Sequence, residues 1–333
     1  MLPPGDVSGR YIFDQAQDEI DINSCREARI EGPYSCLYIL PPDRIILDRA
    51  AGENYIWTLY ETDSVPVAWL SLLNDARVSE VWVPTDFHVQ SFRKAGVHSC
   101  IRTVPFGYDD KKYNLSASPL SNFADRDPFY FIFISEFKKP KGCDLLLNSF
   151  FSVFKYRDDV KLIFKASAGY NKDIENYILS LREMHGASNE VFMISGQLPE
   201  SVMVSLYASG DCFVHPNRGE GWGLTLIQSM ACGVPVITSN YSAQSFYCSE
   251  KNSLLISGQE CEILDEAWLN AVPQQRGHKW FEPDQRVLEE LLLYAVNNRG
   301  ALRELGFRAA KDIKNFTWSE SAKKASEIIF SKK

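Results

Sequence analysis

Asp211-Cys212-Phe213-Val214-His215-Pro216-Asn217-Arg218-Gly219-Glu220-Gly221-Trp222-Gly223-Leu224-Thr225-Leu226-Ile227-Gln228-Ser229-Met230-Ala231-Cys232-Gly233-Val234-Pro235-Val236-Ile237-Thr238 reads as a strand, a glycine-rich loop, a helix, a glycine stop and a second strand. Gly219, Gly221 and Gly223 allow positive φ and close approach of the backbone to a ligand. The helix that begins near Leu224 aims its free N–H groups and positive dipole end at whatever occupies the loop, a natural anion site. Gly233 stands where a left-handed residue ends such a helix. Glu220 precedes the helix at the carboxyl end of a strand, where open α/β sheets place their ligands. For an isolated G-x-G, the competing reading is a tight turn with a solvated acid.

The same alternation extends outward from this stretch. Apolar, β-rich runs predict strands at 37–40, 55–60, 79–83, 101–104, 129–135, 160–165, 190–194, 211–215, 234–238 and 253–256. Amphipathic windows predict helices near 64–75, 86–95, 144–156, 172–185, 200–209, 224–232, 284–298 and 300–314. This order implies an α/β fold, with parallel sheets covered by helices on both faces. The polar stretch Asp109–Pro128 separates a first domain (1–115) from a second (129–315), and a helix capped at Thr317 or Ser319 fills 316–333. The first 35 residues carry little pattern.

Composition narrows the function classes. A chain of 333 residues exceeds what one hydrophobic core usually organises. Apolar residues make up 45% and charged residues 23%, the balance of an ordinary globular protein. No apolar run approaches the roughly 20 residues that span a bilayer, and Met1–Asp6 does not read as a signal peptide. A cytoplasmic location is expected, with peripheral membrane association left open. The eight cysteines form no C-x-x-C pair and the five histidines lack metal-ligand spacing, so reduced buried thiols and no metal are expected. A net charge of −8 argues against nucleic acid as a partner.

The block from Glu220 to Ile237 resembles the signature of the family 4 glycosyltransferases, whose fold is GT-B. Members show E-G-[FW]-G-L, a helix, then A-x-G-x-P-V-[IV], with a second Glu eight residues after the first. The match holds at Glu220, Gly221, Trp222, Gly223, Leu224, Met230-Ala231, Gly233 and Pro235-Val236-Ile237, and departs at Gln228. The resemblance implies two Rossmann-like domains facing across a cleft, with the C-terminal helix crossing back to the first. Glu220 would approach the transferred sugar, and the N–H groups of Gly221, Trp222, Gly223, Leu224 and Thr225 would meet its hydroxyls and the diphosphate. Gln228 would take the ribose hydroxyls, which a carboxamide can bind. Glu136–Leu147 resembles the family's Lys-Gly-x-Asp-x-Leu-Leu segment, which makes Lys141 the diphosphate clamp. Glu136 stands where many members have Arg, and Lys138 or Lys139 is the candidate replacement. Lys165, at the end of Leu162-Ile163-Phe164-Lys165, is a weaker candidate near the nucleotide. Ser195-Gly196-Gln197-Leu198-Pro199-Glu200 is similar to the loop beside the base.

In the first domain, Trp57–Pro66, Val81–Phe87 and Val104–Asp109 resemble segments of a subset of the family and put Glu61 and Asp63 near the cleft on the acceptor side. The resemblance covers about residues 55 to 260. The family's glycine loop after its first strand has only Pro4–Gly9 as a stand-in, so the first domain reads as short. The implied activity is retaining transfer of a sugar from a nucleotide sugar, UDP- or GDP-linked, to a hydroxyl of a glycan or lipid-linked sugar, without a metal. Two rivals are a catalytically silent GT-B protein that binds a sugar nucleotide or a protein partner, and a hydrolase or epimerase acting on the nucleotide sugar itself.

Overall fold

The computed structural model describes residues 32–125, 127–166 and 172–331; Pro4–Gly9 and most of the patternless N-terminus lie outside them. The first domain holds β1 (Ser35–Tyr38), β2 (Glu53–Trp57), the short helix α1 (Leu70–Leu73), β3 (Val78–Val83), α2 (Asp86–Ala95) and β4 (Ile101–Thr103). Its four strands are parallel in the order β1-β2-β3-β4. The helix expected over 64–75 is shorter than its pattern. Pro66 leads into a 3-10 turn at Val67–Trp69, and Asn74 ends the single α-turn, its amide donating to Gly96 O.

The second domain runs through β5 (Phe129–Ser135), α3 (Cys143–Phe154), β6 (Val160–Ala166), α4 (Lys172–His185), β7 (Val191–Ile194), α5 (Glu200–Ser209), β8 (Cys212–His215), α6 (Leu224–Ala231), β9 (Val236–Ser239) and β10 (Leu254–Ile256). These strands form one sheet in the order β10-β9-β8-β5-β6-β7, all parallel. Its centre is the buried run Phe129–Ile134 of β5, apolar on both faces as a parallel strand between helices must be. Phe131, Phe133, Phe150, Phe154 and Phe164 fill one face; Ile132, Tyr207, Phe213 and Leu226 fill the other.

Beyond the sheet come β11 (Gly258–Glu262), α7 (Glu266–Ala271), β12 (Lys279–Pro283), α8 (Gln285–Asn297), α9 (Arg299–Asp312) and α10 (Trp318–Phe330). The antiparallel pair β11–β12 was missing from the expected elements. Gly-Gln-Glu-Cys-Glu is largely exposed and shows no alternation that would mark a strand. Thr317 caps α10, its hydroxyl accepting from Glu320 N at 3.3 Å. Ala325 and Ile328 of α10 bury with Tyr55, Trp57, Trp82 and Val104 of the first domain. The chain crosses between the domains twice, side by side. Tyr108 N donates to Phe316 O at 3.0 Å and Trp318 N to Tyr108 O at 3.2 Å.

Candidate functional site

In the second sheet the chain leaves β5 toward β6 and β7 on one side, and returns to β8, β9 and β10 on the other. The switch point therefore lies between β5 and β8, which pair at Phe131–Cys212 and Ile132–Phe213. Ligands of open α/β sheets bind outside the carboxyl ends of the strands at such a point. Here the loop after β5 carries Lys141, and the loop after β8 carries Glu220.

Two features of the sequence bring these loops together. Gly142 has φ +70°, and a Cβ on it would lie 1.9 Å from Pro216 O, so only glycine lets the loops touch. Arg218 holds them in register. Its N–H donates to Pro140 O at 2.7 Å, and its buried guanidinium reaches Lys139 O, Asp144 and Glu282 at 2.7–3.2 Å. The sequence reading missed Arg218, although a cation inside a glycine-rich loop between apolar segments was its available signal.

Lys141, Glu220, Glu61 and His215 converge where the loops meet. Lys141 Nζ donates to Glu61 Oε1 at 2.7 Å and to Glu220 Oε2 at 3.0 Å. His215 Nε2 lies 3.1 Å from the same Glu220 oxygen, and Gly221 N donates to Glu220 Oε1 at 3.1 Å. Burial is the largest single influence on each charge of the central pair, and only the combined attractions around them outweigh it. Glu220 and Glu61 hold the Lys141 ammonium above its ordinary value, and Lys141 and His215 hold the Glu220 carboxyl below its own. His215 is fully buried, and its Nδ1 finds no hydrogen-bond partner among the described residues. Sequence reading had noted only that the histidines lack metal spacing. A polar residue ending an otherwise apolar strand was the clue.

The floor of the site is equally specific. Glu220 N donates to Ser242 Oγ at 3.2 Å, and Ser242 adopts φ +61°, the one positive value at a non-glycine residue among those described. Such strain persists only where surrounding structure over-determines it. His88 on α2 is buried, with Nδ1 2.8 Å from Thr85 Oγ1. Burial drives its pKa down to about 3, against smaller opposite pulls from the Tyr60 backbone and Glu220.

The helix α6 begins at Leu224, after Gly223 at φ +83°, and ends in a Schellman turn: Gly233 (φ +75°) N donates to Met230 O and Val234 N to Ser229 O. Leu224 is exposed and Thr225 half-buried, so the helix start is open to a ligand. Of the three loop glycines only Gly223 has a positive φ, which corrects the expectation for Gly219 and Gly221. A Cβ on Gly219 would lie 2.4 Å from Glu61 O, and one on Gly221 2.3 Å from Leu59 Cδ1. These two glycines admit the first domain. The indole of Trp222 is buried against Tyr247, Phe316 and Phe106, which leaves only its backbone to face a ligand.

The other expected residues have these positions. Gln228 is half-buried on α6 and its Oε1 accepts from Tyr207 OH at 2.9 Å. Lys165 Nζ donates to Ala166 O and Gly196 O at 2.8 Å each, so its ammonium ties β6 to the loop after β7. Gln197 is exposed in that loop, and half-buried Leu198 packs on the core beneath it. Asp63 is held elsewhere than at the Lys141 cluster: its carboxylate pairs with Lys94 and accepts from Lys279 N at 2.6 Å. Glu136 pairs with Lys138 at 2.8 Å and Lys139 with Asp144 at 2.7 Å, which engages both candidate replacements for the missing Arg.

Two facing α/β domains, with an anion-ready helix start at the switch point of the second, define the GT-B class. Residues 119–262 match the family described as "Glycosyl transferases group 1", and the resemblance carried by Glu220–Ile237 holds. Curated relatives include the GDP-mannose-dependent monoacylated alpha-(1-6)-phosphatidylinositol monomannoside mannosyltransferase of Corynebacterium glutamicum, 24% identical over 55% of this chain and 50% of that protein. Another is the mannosylfructose-phosphate synthase of Agrobacterium fabrum, 28% identical over 42% of this chain and 32% of that protein. The chain spans a third to a half of the length of such relatives. Among solved structures, HepE of Anabaena in complex with UDP and glucose aligns with a TM-score of 0.66 at 16% identity, covering 84% of this chain and 72% of that one. Sucrose-phosphate synthase of Thermosynechococcus elongatus aligns at 0.63, also at 16%, covering 84% and 68%. At these identities the structures show the shared fold.

Proposed function

We infer that the protein is a retaining glycosyltransferase that moves a sugar from a UDP- or GDP-sugar to a hydroxyl acceptor, a glycan or a lipid-linked sugar, without a metal. The observation that carries this is the meeting of Lys141 and Glu220 beside the open start of α6, inside the segment that matches the group 1 family. A relative named for GDP-mannose and a neighbour solved with UDP and glucose support the donor class. On this reading the protein is expected to act in the cytoplasm; no helix among the described residues is long and apolar enough to cross a membrane.

The donor's diphosphate lies against Lys141 and the N–H groups of Gly221–Thr225, and its nucleoside extends toward Gln228 and the Gln197–Leu198 loop. As the anomeric bond loosens, positive charge grows on the sugar and negative charge on the diphosphate. Lys141 and the helix dipole stabilise the leaving group in a site sheltered from water. The departing phosphate oxygen takes the acceptor proton on the same face, so the configuration is retained. Glu220 positions and polarises the sugar.

Release of free UDP or GDP from a panel of nucleotide sugars, dependent on an added acceptor, tests the reading. Release that needs no acceptor would make the protein a hydrolase, and none with any donor would make it a binding protein. Because Lys141 and α6 supply the cationic stabilisation, turnover should survive EDTA; complete loss restored by manganese would overturn the metal-free mechanism.

A further inference from the structure

Lys141 is one buried cation between two carboxylates. At 2.7 Å from Glu61 and 3.0 Å from Glu220, its charge is already more than neutralised. A nucleoside diphosphate brings further negative charge to a site sheltered from water, where like charges repel strongly. A diphosphate approaching the ammonium therefore competes with these carboxylates for its charge and its donors.

The structure distinguishes the two. Glu220 is held by His215 Nε2 and Gly221 N as well as Lys141, its own N–H is bound to Ser242 Oγ, and its side chain is 13% exposed. The Glu61 carboxylate has Lys141 as its partner among the described residues, and its side chain is 34% exposed. Its backbone, by contrast, is fixed. Glu61 O lies against Gly219, Thr62 Oγ1 stands 2.8 Å from His278 Nδ1, and Asp63 N donates to Lys279 O at 3.3 Å. A change of side-chain rotamer therefore releases Lys141 without moving either domain.

Resting on the glycosyltransferase reading, we propose that Glu61 is a displaceable counter-ion of Lys141 that makes binding ordered, donor before acceptor. With the donor site empty, Glu61 neutralises the lysine. The diphosphate displaces it, and the freed carboxylate, carried by the first domain, becomes a hydrogen-bond acceptor for the hydroxyl of the incoming acceptor. A diphosphate site that is blocked most of the time shows an affinity reduced by the blocked fraction. Glu61 therefore weakens donor affinity in exchange for a carboxylate offered to the acceptor only when the donor is in place.

The test compares wild type with Glu61→Gln and Glu61→Ala, each first shown to melt near the wild-type temperature. UDP, GDP and inorganic pyrophosphate are titrated calorimetrically, and turnover is measured against both substrates. Both variants should bind the active nucleoside diphosphate about tenfold more tightly or better. Pyrophosphate should tighten in parallel, because the phosphates are what compete with Glu61. The KM for the acceptor should rise several-fold, and product nucleotide should compete with donor in wild type without competing with acceptor. Equal or weaker diphosphate affinity in both variants of a protein that turns over would overturn the counter-ion role and leave the transferase reading intact. Failure of wild type and both variants to bind any diphosphate would overturn the transferase reading and this role with it.

Discussion

At the scale of single residues, Glu220 shows how a site can be compressed into one carboxylate. Its two oxygens meet a lysine from the loop after β5, a histidine at the end of β8 and a main-chain N–H from its own loop. In the proposed reaction its partner is the sugar, which carries most of the charge change, while Lys141 and α6 hold the nucleotide. Glu220→Ala should therefore lower kcat by about 10²–10³ while nucleoside diphosphate affinity stays within a few-fold of wild type. Near-normal turnover in a folded variant would reduce Glu220 to a structural acid. His88 gives a second prediction, this one for stability. The buried imidazole is driven to about 3 from an ordinary 6.5. Between those values the unfolded chain holds a proton that the folded chain does not, so stability falls as pH drops through this window. The slope from His88 alone approaches about 1.4 kcal/mol per pH unit. Denaturant unfolding of wild type and His88→Gln between pH 7 and pH 4 should show a shallower acid loss in the variant, and parallel curves would exclude His88 as the source.

At the scale of elements, glycines without side chains decide which segments can touch. A Cβ on Gly107 would lie 2.2 Å from Trp318 N and 2.3 Å from Thr317 C, both main-chain atoms that cannot step aside. There the two interdomain crossings run side by side, and Thr317 begins the helix whose Ala325 and Ile328 bury against the first sheet. Gly107→Ala should push α10 off its seat and destabilise the protein by about 2 kcal/mol or more, in the range of overpacking. Thermal unfolding checks this, and a melting temperature equal to wild type would show that the crossing tolerates a wider path. The family resemblance implied a C-terminal helix that crosses back to the first domain, but not where the two crossings touch. Val104–Tyr108 read as a strand end and Thr317 as a cap, but nothing in either stretch reports the other more than 200 positions away. What sequence did reveal was local in origin. The apolar run 129–135 became β5, the amphipathic window 86–95 became α2, and Gly233 became the left-handed end of α6, because burial on both faces, 3.6-residue periodicity and a positive φ each mark their own residues. The pair β11–β12 escaped because β11 is polar and exposed, and the two strands are ordered by each other and by contacts of Lys279 with the first domain.

At the scale of the whole molecule, the interface between the domains is built from loop backbone and isolated side chains, with the site lying against it. Leu59 meets Gly221, Glu61 meets Gly219 and Lys141, Thr62 meets His278, and Asp63 joins Lys94 to the main chain of Lys279. Sequence reading put Glu61 and Asp63 at the cleft together, but it could not separate their roles, since both are acids two positions apart in one loop. Pairing does separate them. Glu61 faces the exchangeable cluster, whereas Asp63 is 7% exposed and accepts a main-chain hydrogen bond from β12, so it fastens the hairpin of the second domain to the first. Interfaces between domains of one chain ordinarily permit domain motion, and a nucleotide sugar needs the domains to part before it can enter and to close again before transfer. An Asp63 that ties the two domains together away from the Lys141 cluster should therefore favour the closed arrangement. Asp63→Asn keeps the shape and one acceptor oxygen while removing the ion pair with Lys94; Asp63→Ala removes both. Small-angle scattering should give a larger radius of gyration for Asp63→Ala than for wild type, with Asp63→Asn between them. In Asp63→Ala, turnover should fall by about tenfold, the factor expected when closure is disfavoured by roughly 1.4 kcal/mol, while affinity for the free nucleoside diphosphate, held by the second domain alone, changes little. Unchanged scattering in both variants, or a loss of nucleotide affinity as large as the loss of turnover, would show that Asp63 serves the donor site directly and that the domains close without it.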